Sequence, residues 1–131
     1  MCLTTYQKWP KIAWKPITTY KVVYGYEDPY KTMYQRVKIQ IGKTYKESVY
    51  NILKNRYSFM VIEEDKKVYN FNQGLHSCTE KDNAKDIAEY FNVLYPTNIV
   101  ECIIPRFSLY WIEDCNDIVS NKLKYVKILK Q

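Results

Sequence analysis

The 131-residue chain predicts an α+β domain, mostly antiparallel sheet with one main helix near residues 79–95. Three observations lead to that class. Several segments alternate apolar and polar residues with period two, as "QRVKIQI" (35–41) does. One segment, "AKDIAEYFNVLY" (84–95), carries Ala84, Ile87, Ala88, Phe91 and Leu94 or Tyr95 at helical spacing. No linker, repeat or low-complexity tract divides the chain, so residues 1–131 read as a single domain.

In order, "TTYKVVY" (18–24) is β-branched and aromatic, with Tyr20, Val22 and Tyr24 on one face of a strand. "GYEDPYK" (25–31) holds loop residues. The 35–41 strand directs Val37, Ile39 and Ile41 inward and Arg36, Lys38 and Gln40 outward. Gly42-Lys43 turns the chain into "TYKESVYNIL" (44–53), which fits a short strand or one helical turn. "RYSFMVIEEDKKVYNF" (56–71) reads as a hairpin with arms at 57–62 and 67–71 and a charged tip at Glu63–Lys66. After the helix, "TNIVECII" (97–104) is a strand with Val100, Cys102 and Ile104 on one face, stopped by Pro105. "SLYWI" (108–112) is a short apolar run. "NKLKYVKIL" (121–129) is a last strand whose alternation slips at Tyr125-Val126, as a bulge or a helix would require.

With 47% hydrophobic and 26% charged residues, the composition is that of a folded chain, not a disordered one. No apolar run reaches the roughly 18 residues of a membrane span. The opening "MCLTTYQKWPKIAW" lacks the pattern of a signal peptide, so an intracellular protein is expected. Cys2, Cys78, Cys102 and Cys115 stand far apart with one histidine to join them. That spacing predicts four reduced cysteines, Cys102 in a strand core, and no metal site, disulfide or cofactor. The net charge of +6 is unevenly spread. Residues 1–62 hold 11 Lys and Arg against 3 Asp and Glu (+8), residues 63–115 hold 5 against 10 (−5), and residues 116–131 hold 4 against 1 (+3). A uniformly basic nucleic-acid binder is not built this way.

The stretch "NQGLHSCTEKD" (72–82) contains the lone histidine, His76, beside Ser77 and Cys78. It reads first as a helix entrance. Ser77 with Glu80 fits a capping box, Thr79 with Asp82 offers a second register, and Gly74 suits a backbone conformation that other residues resist. Nucleophilic catalysis through His76 and Ser77 would also need an orienting acid and an oxyanion site. No catalytic residue is therefore expected.

"YQKWPKIAWKP" (6–16) sets Trp9 and Trp14 among Lys8, Lys11 and Lys15. The plain expectation is that both tryptophans cap the core while the lysines are solvated. The alternatives are a tryptophan-anchored protein contact or base stacking with lysines on phosphates. Fourteen tyrosines add to the stock of amphipathic contact surface.

The ordered set "MCLTT", "YKVV", "IGKTY", "GLHSC", "VECIIP" and "DIVSNKLKYVKIL" spans almost the whole chain. It resembles small proteins from phages and mobile elements of Bacteroidota-type bacteria. The resemblance implies a non-catalytic binding protein that antagonises a host defence effector, an RNA-guided CRISPR nuclease foremost, in the cytoplasm of the host bacterial cell. It implies contact with the effector, its guide RNA or both, and neither membrane nor metal. Lys8, Trp9, Lys11, Trp14, Lys15, Arg36, Lys38 and Lys43 are the expected contact residues. A strand, then Gly-Leu-His-Ser, then a helix and a strand also resembles ADP-ribosyltransferase-like folds. On that alternative the protein is a small enzyme acting through His76 and Ser77, with Glu101 as its acid, although Glu101 lies mid-strand facing away from Val100 and Cys102.

Overall fold

A computed structural model of the chain describes residues 3–25, 30–32, 37–94, 96–113 and 117–129. It is α+β and mostly antiparallel sheet, as the alternating segments predict. The N-terminal half contains β1 (Leu3–Thr5), β2 (Lys11–Ile12), β3 (Ile17–Tyr24), β4 (Tyr30–Thr32), β5 (Lys38–Ile39), β6 (Thr44–Lys46) and the short helix α1 (Val49–Lys54). The hairpin β7 (Tyr57–Val61) and β8 (Lys66–Phe71) follows, then β9 (Leu75–Cys78) and the main helix α2 (Lys81–Asn92). The chain closes with β10 (Thr97–Ile104), β11 (Leu109–Ile112), β12 (Asp117–Ser120) and β13 (Lys122–Leu129).

Ten strands form one sheet with the path β2-β11-β12-β9-β3-β10-β13-β6, extended by β4 on β3 and β5 on β4. A second sheet has the order β1-β8-β7. The two long strands β3 and β10 pair from Ile17↔Ile104 to Tyr24↔Thr97 and form the backbone of the fold. One face of the main sheet gathers Val23, Val100, Cys102, Ile104, Ile118, Leu123 and Tyr125 into the inner core. The other face carries two covers. α2 lays Ala84 and Ala88 against Val22, Cys78 and Ile99. The small sheet and α1 bring Leu3, Phe71 and Ile52 onto Trp111 and Val119. The Phe71 and Trp111 rings lie 4.9 Å apart, centroid to centroid.

The slip at Tyr125-Val126 is a bulge. Glu101 pairs with Lys127 but Cys102 pairs with Tyr125, so Val126 is the extra residue. The bulge changes the phase of the strand, letting both Tyr125 and Ile128 join the inner core while Leu129 joins the helix side. "TYKESVYNIL" supplies both a strand and a helix, and Ser48 caps α1 by accepting from the Asn51 amide.

Three expectations need correction. The helix entrance is not at Ser77 or Thr79: residues 75–78 form β9, between β12 and β3, and α2 begins only after Glu80, which makes no side-chain cap bond. Val37 does not point inward. It is 49% exposed, and its amide and carbonyl are bonded to Thr32. The helical stripe ends at Phe91, with Leu94 exposed beyond the last turn. Arg36 and Tyr95 lie outside the described residues. Among those described, no helix is long and apolar enough to cross a membrane.

Candidate functional site

His76, Ser77 and Glu101 do not meet. Successive strand residues point to opposite faces, so on β9 His76 turns to the helix side and Ser77 to the inner core. Glu101 shares the face of His76, but the register aligns it with Tyr20 and Cys78. Two strands and two residues away, its Cα is about 12 Å from that of His76. Its carboxylate instead lies 3.9 Å from the Lys127 ammonium.

The local chemistry is also quiet. His76 is enclosed where the two covers of the sheet adjoin, and its ring bonds the backbone of Asn72 and Gln73 while Nε2 has no partner. Burial, with help from the Lys21 charge, pushes its pKa down to about 3, so the imidazole is neutral at pH 7. Burial pushes the Cys78 thiol up to about 12, and the adjacent Asp117 adds to the effect. The Cys78 Sγ lies 3.8 Å from Asp117 Oδ1 as a thiol, not a thiolate. Gly74 takes φ +105°, as its place before β9 requires. Among the described residues, no group of three or more His, Cys, Asp and Glu is placed to hold a metal ion.

The basic and aromatic segment behaves differently. Trp9 is 61% exposed and Trp14 66% exposed, so neither caps the core; Trp111 fills that role. The exposed positions follow from β2, a two-residue strand at the very edge of the main sheet that leaves its flanks outside. Trp9 has two cations over its ring: Lys8 Nζ at 5.3 Å and the Arg56 guanidinium at 5.4 Å. Arg56 is held there by donating to the Lys8 carbonyl and by lying over Tyr69 as well. Trp14 meets Phe107 edge to face at 6.2 Å, and the Arg106 guanidinium lies 4.6 Å over the Phe107 ring. Phe107 sits at φ +69°, and its amide donates to the Ala13 carbonyl. A bulky residue in that region of backbone space is strained. The ring is 58% exposed beside Trp14.

Lys8, Trp9, Lys11, Trp14 and Lys15 are thus exposed together around β2. Lys38 is on β5, in the branch that β4 and β5 add to β3. Lys43, whose ammonium lies 5.1 Å over Tyr45, directly precedes β6 at the end of the strand order opposite β2. Neither is on the strand around which the other five gather. The sequence reading missed Arg56, Arg106 and Phe107. "PRFS" (105–108) gave a local signal for the last two, whereas nothing near Arg56 points to Trp9. No family model, curated protein or solved structure matches the chain.

Proposed function

We propose that the protein acts by binding, through the exposed face built on Trp9, Trp14 and Phe107. The carrying observation is that three large rings stand out from the surface with cations held against two of them. Aromatic and arginine side chains are the usual anchors of contact surfaces. The groups that would serve chemistry are apart or held in unreactive forms. The resemblance to phage and mobile-element proteins supplies the target class: a bacterial defence effector of the RNA-guided CRISPR nuclease type, engaged in the host cytoplasm through its protein surface, its guide RNA or both. Lys11 and Lys15 extend the contact, and the charge division along the chain suits docking on a surface with both signs.

A pull-down of the tagged chain from a host lysate that expresses such a nuclease tests this. The nuclease is expected in the eluate. Trp9→Ala with Trp14→Ala should weaken capture by about 30-fold or more, as removal of a hot spot of about 2 kcal/mol does. His76→Ala should leave capture unchanged. Recovery of no defence protein from that lysate would reject the reading. RNase treatment and a salt series separate the routes, since contacts to RNA weaken steeply with salt and protein contacts less so.

A further inference from the structure

We propose that the inner face of the main sheet holds a binding site for a small carboxylic acid, its carboxylate received by Lys21, Ser77 and Thr19. This site is independent of the Trp9 face.

Lys21 is on β3, near the middle of the ten-stranded sheet, and pairs with Val100 on one side. On the other side, the register Tyr20↔Cys78 continued by one residue sets Ser77 opposite Lys21. Thr19 is two residues along the same face, paired with Cys102. Directly opposed residues on one sheet face have Cβ atoms about 5 Å apart. An ammonium and two hydroxyls therefore form a contiguous polar patch on a face otherwise made of Val23, Val100, Ile104 and Ile118.

All three lack partners. Thr19 is fully buried and Ser77 only 6% exposed, and the hydroxyl of each has no hydrogen bond. Among the described residues Lys21 has no ion pair or hydrogen bond. The ionisable groups that act on it are the thiols of Cys102 and Cys78, both uncharged, and no carboxylate is among them. Buried polar groups are nearly always satisfied, and an isolated buried charge is costlier still. Burial accordingly pushes the Lys21 pKa down. Three unpartnered donors on adjoining strands mark a place built for an acceptor.

There is also room. Lys21 is only partly buried and keeps accessible surface beside the two enclosed hydroxyls. Leu75, Tyr30 and Tyr110 line the same core and are likewise only partly buried.

The donor set selects the ligand. It offers one positive charge and two hydroxyls, which match the single charge and two oxygens of a carboxylate. A phosphate dianion needs more charge and more donors than are present. The apolar surroundings suit an aliphatic or aromatic body attached to that carboxylate.

Thermal unfolding with butyrate, octanoate and benzoate, each beside its neutral counterpart (butanol, octanol, benzamide), and with inorganic phosphate, tests the assignment. At least one carboxylate should raise Tm by about 10 °C at about 100 times its Kd, and its neutral counterpart should not. Ser77→Ala should weaken binding about tenfold. Lys21→Met, which removes a cation without an ion pair, should fold and lose the response. 13C-carboxyl benzoate observed by NMR with wild type and Ser77→Ala gives a second measurement should Lys21→Met not fold. No rise with any carboxylate, an equal rise with the neutral counterpart or with phosphate, or an undiminished response in Lys21→Met or Ser77→Ala would each overturn the proposal.

Discussion

Gly74→Val is expected to lower stability by roughly 3 kcal/mol or more, and so to unfold much of the protein at 37 °C. Two effects combine. At φ +105° the backbone is in a region that β-branched residues resist. A Cβ at this position would also stand 2.3 Å from Val119 Cγ1 and 3.5 Å from the Ile52 side chain. Both neighbours are wholly buried in the core beneath the small sheet, so neither has room to retreat. The Gly74 amide is fixed besides, donating to Glu47 Oε2 at 2.8 Å, while Glu47 Oε1 accepts from Asn51 of α1 at 2.7 Å. Gly42→Ala is the control: φ is +89° but nothing lies within 4 Å of the added carbon. That change should cost only about 1 kcal/mol of backbone strain. Urea midpoints at constant m-value measure both. Equal midpoints for the two variants would show that the close approach to Val119 is absorbed without cost.

Acid should destabilise the fold through His76. Its folded pKa of about 3 lies below the unfolded value of 6.5, so between those values the unfolded chain binds the extra proton. The stabilisation is therefore complete above pH 6.5 and declines as pH falls toward 3. A shift of this size corresponds to roughly 3–5 kcal/mol over the window. Asp117, whose carboxyl burial pushes up, acts in the opposite sense at the acid end but is only half-buried, so His76 dominates. Urea unfolding at pH 7 and pH 4 should show the loss, and His76→Leu should flatten it. An unchanged slope in His76→Leu would assign the acid sensitivity elsewhere.

Elements dominated by one face were legible in the sequence. β10 matches its alternation from Thr97 to Ile104, and α2 packs through the Ala84, Ile87, Ala88, Phe91 stripe. β13 slips where its pattern slips. β9 was not legible as a strand, because Ser77 and Glu80 copy the spacing of a capping box and four residues offer little periodicity. Lys21 was equally hidden. In an alternating strand a lysine reads as outward, yet β3 is covered on both faces, and only tertiary structure decides which side is enclosed. For two tryptophans the sequence left core and surface both open. Trp9 and Trp14 could cap the core or stand exposed, and Trp111 filling the core with β2 at the sheet edge decides for exposure. Arg56 reaches Trp9 across 47 residues of chain, a proximity that no local pattern encodes.

The β3–β10 ladder has a consequence for the order of events in time. Its last pair joins Ile17 to Ile104, and β9, β12 and β13 are also contributed by the later part of the chain. As the protein emerges from the ribosome, β3 waits for β9 until residue 78 has been made and for the whole of β10 until residue 104 of the 131. The hairpin β7–β8, whose strands lie within residues 57–71, closes without that delay. Because closing long loops precedes the gain from distant strand pairing, folding should be slow for the size of the domain, in milliseconds to seconds. During that interval β3, with Val22 and Val23 uncovered, is the segment most in need of protection from other chains.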